Sequence, residues 1–223
     1  MKYLIVVAHP DDEILGAGAT ISELIKQGHE VGVATLCNSA DARTNISDTL
    51  RDDQKKAFDI VGITKSYGAD FPNIKMNIVP HLDLVKFIEN CIVDFEADAI
   101  ITHHPSDTNN DHIQTSYACQ AACRISQRKP NIKPLKKVLF MEILSSTEWS
   151  FNSNGQKFNP NYFVEIDKDG LDIKLKALSA YKGVMREYPH PRSKEAIECL
   201  AAYRWAKSGS NYAEAFECVF YKE

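Results

Sequence analysis

Short continuous apolar runs alternate along the first two thirds of the chain with segments whose apolar residues recur every three or four positions. Residues 3–8 form one such run, the pattern of a strand buried on both faces. Over residues 17–26 the apolar positions Ile21, Leu24 and Ile25 make one helical stripe, and Gly28 stops it. Residues 31–36 predict a second strand. Residues 48–61 return to helical spacing through Leu50, Ala57, Phe58 and Val61, with Gly62 as the stop. A helix over about 82–95, a strand at Ala99-Ile100-Ile101, a helix over 111–125 and a strand over 137–143 complete the series. This β-α-β-α rhythm predicts an α/β fold with a mostly parallel sheet and helices on both faces.

The last third reads differently. A strand is expected over 162–166, a helix over 171–185 with Leu175, Leu178 and Tyr181 on one side, a helix over 193–206 and a closing strand over 212–221. Two loops stand out: residues 38–47, polar enough to form a lid, and residues 145–161, rich in Asn, Ser and Gly and expected on the surface. There is no internal repeat and no low-complexity linker. The expectation is a single domain over 1–223, with a core over 1–144 and a smaller C-terminal part over 145–223 packed on it.

Composition narrows the function more than the fold. With 223 residues, 44% hydrophobic and 25% charged, the chain has the make-up of an ordinary globular protein with one well-filled core. A net charge of -4 speaks against the basic surface that nucleic-acid binding requires. The longest apolar stretches fall far below the ~20 residues that span a bilayer, and strand-like sequence begins at Lys2 without a basic-then-apolar leader. A cytoplasmic location is therefore expected, with a homo-oligomer left open. The six cysteines are scattered and read as small buried hydrophobes in a reducing compartment. Cys119 and Cys123 share a helical spacing, yet no second pair lies nearby to complete a metal site.

The candidate chemistry lies at strand ends. His9-Pro10-Asp11-Asp12-Glu13 follows the first strand and precedes the first helix, the position at which open α/β sheets bind ligands. One imidazole and three carboxylates within five residues repel one another unless a cation offsets them. A His and an Asp are two thirds of a catalytic zinc shell, which takes three protein ligands and keeps a position open. The loop after residues 99–101 supplies the rest: His103, His104, Asp107, Asn109, Asp111 and His112. Of these His112 is the expected ligand, with Asp111 or Asp107 orienting an imidazole. The competing account makes Asp11, Asp12 and Asp111 helix caps; two such clusters at equivalent strand ends favour a metal.

The strand followed by His9-Pro10-Asp11-Asp12-Glu13, then Arg51, Thr102-His103 and Asn110-Asp111-His112, resembles the PIG-L/LmbE-like zinc-dependent N-deacetylases. The resemblance continues through Tyr188-Pro189-His190-Pro191-Arg192-Ser193 and Tyr212-Ala213-Glu214-Ala215-Phe216, and so covers nearly the whole chain. It implies a Rossmann-like three-layer α/β/α fold. It also implies one Zn2+ per active site on His9, Asp12 and His112, with Asp11 as general base and a metal-bound water as nucleophile. The implied substrate is a small N-acetylated sugar or sugar conjugate, with Arg51, His190 and Arg192 as substrate-binding residues and Glu214 as structural. The chain departs from the family pattern at Asn109, where many members carry a His. Asn exchanges no proton near neutral pH but still donates a hydrogen bond to a substrate oxygen, which shifts acid-base work onto Asp11. The rival readings are another metallohydrolase, mononuclear on an amide or ester or two-metal on phosphate esters, and a non-catalytic sugar-binding protein. A nucleotide-binding turn is disfavoured, because residues 8–18 hold only Gly16 and Gly18 and present carboxylates to a phosphate.

Overall fold

The computed structural model describes residues 1–38, 49–151, 156–209 and 211–223. The elements run β1 Lys2–Val7, α1 Asp12–Lys26, β2 Glu30–Thr35, α2 Leu50–Val61, β3 Lys65–Gly68, α3 His81–Phe95, β4 Ala99–His103 and α4 Asn110–Ala122. Then come β5 Lys137–Met141, β6 Tyr162–Ile166, α5 Lys168–Ala180, α6 Lys194–Ser208 and β7 Tyr212–Tyr221. The seven strands form one sheet in the order β3-β2-β1-β4-β5-β7-β6. The first five are mutually parallel; β7 pairs antiparallel with β5 and β6 antiparallel with β7. The last third thus extends the sheet as well as adding helices to it.

The strand period explains the layers. Tyr3, Ile5 and Val7 of β1 face a core shared with α1, α2, α5 and α6, whereas Leu4, Val6 and Ala8 face one shared with α3 and α4. Both faces of β1 are covered, which is why it reads as an unbroken apolar run. α1 is enclosed almost all round, with Ile14, Leu15, Ala17, Ala19, Ile21 and Leu24 buried, because it lies between the sheet and α5.

Several boundaries depart from the sequence expectation. α1 begins at Asp12, five residues before the expected start at 17, since its first turn carries Asp12 and Glu13 into the site while Ile14 and Leu15 pack into the core. β3 went unseen because Lys65-Ser66-Tyr67-Gly68 is an edge strand with little burial and no apolar run. α5 stops at Ala180: Tyr181 leaves helical geometry with ψ 114°. α4 ends at Ala122, and a separate short 3-10 turn holds Ile125–Gln127. Of the cysteines only Cys37, Cys91 and Cys119 are buried; Cys123 and Cys218 are half-buried and Cys199 is exposed, so burial accounts for three thiols and not all six. Of the expected lid over 38–47, residues 39–47 lie outside the described residues. Among the described residues no helix is long and apolar enough to cross a membrane.

Candidate metal centre and active site

β1 and β4 are neighbours, paired in parallel from Tyr3↔Ala99 to Val6↔Thr102, so the residues that follow them emerge side by side. The Ala8 N–H donates to His103 Nε2 at 2.9 Å and ties the two strand ends together. That bond makes Nε2 the acceptor and places the ring proton on Nδ1, a buried atom without a hydrogen-bond partner. Burial, with the His112 charge next, holds His103 neutral down to about 3. Its ring stacks on His112 with centroids 4.0 Å apart and planes 12° apart, so it backs the His112 imidazole.

His9, Asp12 and His112 each present one donor atom, and the three atoms lie within 4.8 Å of one another. His9 Nδ1 is 3.4 Å and His112 Nε2 3.2 Å from Asp12 Oδ2. Donors bonded at ~2.0–2.2 Å to a tetrahedral zinc stand about 3.3 Å apart, so the spacing suits that ion and the set has the two-nitrogen, one-carboxylate make-up of catalytic sites. Each imidazole also has a carboxylate on its other nitrogen. Asp111 Oδ2 is 3.0 Å from His9 Nε2, and Asp107 Oδ2 is 3.2 Å from His112 Nδ1. Such carboxylate–imidazole pairs fix the ring orientation and raise its basicity. Both orienting carboxylates are themselves held. Asp111 accepts the N–H groups of Ile74 and Met76 at 2.6 and 3.0 Å. Asp107 accepts from Thr147 Oγ1 at 2.8 Å, from the Asn109 N–H at 2.7 Å and from Ser146 Oγ.

The electrostatics follow from this packing. Burial works against charging the imidazoles, but bonds to Asp111 and Asp12 raise His9 to about 10, and Asp12 and Asp107 raise His112 to about 9. Burial likewise works against ionising Asp12, yet the facing His112 and His9 hold its carboxyl well below the usual range. Asp107 falls to about 2 for the same reason, with burial overcome by His112 and Ser146.

Asp11 behaves in the opposite way. Burial, then the charge of Asp12, pushes it up to about 7, while Arg192 and the imidazoles pull it down. Arg192 Nη1 lies 3.4 Å from Asp11 Oδ2, and its Nε donates to Ser145 Oγ at 2.6 Å. The Asp11 backbone sits at φ 99°, a conformation that an L side chain rarely adopts. It is held there from both sides: its carbonyl accepts the Ile14 and Leu15 N–H groups at 3.1 and 2.8 Å, and its N–H donates to Glu13 Oε2 at 3.1 Å. Glu13 Oε1 in turn accepts the Tyr181 hydroxyl. Burial pushes Glu13 up to about 8. Glu13, Tyr181, Ser146, Thr147 and His103 were given no role from the sequence. Glu13 stood within the motif; for Tyr181, 168 residues away, nothing local signals the contact.

Asp11 occupies the cap position of α1 but makes no side-chain cap bond. At α4 the cap is Asn109, whose Oδ1 accepts the Asp111 N–H at 2.9 Å. This leaves the Asn109 amide N–H groups as its donors. His190 is half-buried, its Nδ1 accepting the Arg192 N–H at 3.0 Å, so the two residues form one turn beside Asp11. Arg51 is not drawn into the cluster: it lies exposed in the first turn of α2, 3.2 Å from the equally exposed Asp70.

Residues 4–123 match the family model described as PIG-L: GlcNAc-PI de-N-acetylase. The chain is 24% identical over 184 residues to the uncharacterized deacetylase YaiS of Escherichia coli (strain K12), covering 80% of this chain and 89% of that one. It is 23% identical to the diacetylchitobiose deacetylase of Thermococcus kodakarensis, covering 98% and 83%. Among solved structures it resembles the N,N'-diacetylchitobiose deacetylase of Pyrococcus horikoshii, with TM-score 0.78, 20% identity and 98% and 83% coverage. The zinc-inhibited form of teicoplanin deacetylase Orf2 superposes with TM-score 0.69 at 17% identity and 97% coverage of each chain. GalB, the 4-carboxy-2-hydroxymuconate hydratase of Pseudomonas putida KT2440, gives TM-score 0.78 at 20% identity, with 100% and 98% coverage. The fold therefore serves more than one reaction, and the choice between them falls to the site.

Proposed function

The chain belongs to the PIG-L family of de-N-acetylases, and from that premise we propose that it hydrolyses the acetamide of an N-acetylated sugar or sugar conjugate. In this reading His9, Asp12 and His112 hold one zinc ion and Asp11 is the general base. The observation that carries it is the division of two adjacent carboxyls: Asp12 faces both imidazoles, while Asp11 stands outside the donor set beside Arg192. Zinc bound there would lower the pKa of its water toward ~7 and polarise the amide carbonyl.

Asp11, raised to about 7, is matched to taking a proton at neutral pH and giving it back. It takes the proton of the attacking water and returns it to the nitrogen as the carbon–nitrogen bond breaks; no histidine stands at position 109 to share that work. Arg192 offsets the Asp11 charge and has further N–H groups for substrate oxygens, and the Asn109 amide adds a donor from the opposite loop. The C-terminal part, 145–223, thereby contributes to the substrate pocket through Ser145, His190 and Arg192. The sugar-like substrate is supported by the names of the relatives, which act on diacetylchitobiose and teicoplanin.

The test is acetate release from N,N'-diacetylchitobiose and a panel of other N-acetylated sugars, with and without a chelator, alongside elemental analysis. One zinc per chain and chelator-sensitive release are expected. Asp11→Asn should keep the metal and lose roughly 10²–10⁴ in kcat. Turnover by Asp11→Asn at the parental rate would remove Asp11 as base. Two metals per chain would favour the phosphoesterase reading, and water addition without acetate release a hydratase.

A further inference from the structure

α1 is broken one turn beyond the metal-binding turn, and the break is filled by a buried ion pair from elsewhere in the chain. Ala17 sits at φ -144° and ψ 17°, outside helical geometry, between Gly16 and Gly18. In an unbroken helix the Ala19 N–H would bond to the Leu15 carbonyl. Here Lys174 Nζ donates to the Leu15 carbonyl at 2.8 Å. Glu214 Oε1 takes the Ala19 N–H at 3.3 Å and its Oε2 the Thr20 N–H at 2.6 Å. Lys174 and Glu214 pair at 2.6 Å, each with 7% of its side chain exposed. A side chain inserted into the hydrogen-bond ladder is an established cause of a kink. Gly18 makes room for it, since a methyl group there would lie 3.0 Å from Lys174 Cγ; one at Gly16 would instead lie 2.5 Å from Met141 Sδ of β5.

We propose that Lys174 and Glu214 are positioning residues that aim the Asp11–Asp12 turn at His112. The proposal rests on the metal-dependent reading above. The break leaves Asp12 to Gly16 as scarcely more than one helical turn, too short to hold a direction by itself. Its direction is set by what grips its two ends. At the start, Tyr181 holds Glu13, which holds the Asp11 N–H. At the end, Lys174 holds the Leu15 carbonyl. Lys174 and Tyr181 are seven residues apart, two turns of α5 and its cap, so one face of one element grips both ends. A buried ion pair is a poor device for stability, since apolar residues of the same volume usually serve as well or better. Its retention makes sense if the pair sets geometry, because displacement of a reacting group by about 1 Å costs on the order of 100-fold in rate.

The experiment replaces both charges together, Lys174→Met with Glu214→Leu, so that no lone charge stays buried. The readouts are Co²⁺ affinity, the visible spectrum of the Co²⁺ protein, and kcat and KM for acetate release. The double variant frees the Leu15 carbonyl and the Ala19 and Thr20 N–H groups to re-pair along a straightened α1, and is expected to melt near the parental midpoint. It should bind Co²⁺ at least ~10-fold more weakly, in the range seen when supports of metal ligands are removed, with an altered spectrum and a fall in kcat rather than a rise in KM. Lys174→Gln with Glu214→Gln, which also leaves no lone charge and keeps the size and hydrogen-bonding groups of both side chains, should fall between the parent and the Met/Leu variant. Leu84→Ala, in the α3 core on the far side of the sheet, should lower the melting midpoint and leave Co²⁺ binding unchanged. Parental Co²⁺ affinity and spectrum in the Met/Leu variant, or in the double Gln variant if the Met/Leu variant does not fold, would overturn the positioning role. If the parental protein bound no Co²⁺, the metal-dependent reading would fall, and this proposal with it.

Discussion

At the amino-terminal edge of the sheet Lys2 pairs with Glu96 at 3.1 Å and Lys133 with Asp98 at 2.9 Å, all within reach of water. At the carboxyl edge Asp12, Glu13, Asp107, Asp111, His103 and His112 are buried, and each makes a direct ion-pair or hydrogen-bond contact there. The side-chain chemistry is similar; the surroundings are not. Pairs in water gain little over their hydrated state, so the first edge closes the fold and is chemically quiet. Charges removed from water either find partners or change protonation. The second edge shows both outcomes: Asp12 and Asp107 stay ionised against imidazoles, while Asp11 and Glu13 rise to about 7 and 8. Adjacent residues of one type thus acquire opposite protonation behaviour.

The comparison is tested most severely at Asp107, which is wholly buried and holds His112 Nδ1. Asp107→Ala should weaken metal binding by about 10–100-fold and lower kcat with it. Competition for zinc against a chromogenic chelator reads this directly, and parental affinity would show that the His112 ring needs no such support. A smaller effect is expected at Tyr181. Tyr181→Phe removes the donor to Glu13 but leaves the ligands untouched, so kcat should drop by roughly 3–10-fold, equivalent to about one hydrogen bond, at full metal occupancy. An equal loss of metal would instead make Tyr181 part of the metal support.

The smallest effect belongs to the other edge. Asp98 is held below its usual range: burial opposes its charge, but Lys133 and the Lys2 N–H outweigh that. A carboxyl depressed in the folded state stabilises above its unfolded pKa, and the benefit is lost as pH falls through the folded value. Asp98→Asn should therefore cost at most about 1 kcal/mol near neutrality, converge with the parent in acid and leave acetate release unchanged. Urea unfolding at the two pH values checks it; an activity loss would mean that the two edges communicate.

Much of the site was legible because it is local. His9, Asp11 and Asp12 lie in one turn, His112 follows the neighbouring strand, and the strand-to-helix setting puts both at one sheet edge. Of the two arginines expected at the substrate, Arg192 lies beside Asp11, whereas Arg51 pairs with Asp70 on the surface. Sequence reasoning left open whether Asp107 or Asp111 orients an imidazole; in the structure both do, one for each ring. The sequence also gives Glu214 a structural part, and the break in α1 supplies what the residue holds.

The sequence by itself determined the alternation of elements, the buried character of the central strands and the identity of the chemical cluster, since hydrophobic period and motif spacing are properties of neighbouring residues. The tertiary structure alone decided the edge strand β3, which carboxylate holds which imidazole, and the environment that raises Asp11 while lowering Asp12. Those outcomes depend on desolvation and on contacts such as Tyr181 to Glu13 and Lys174 to Leu15. Partners more than a hundred residues apart leave no periodic trace in the chain; they meet only once the layers have packed.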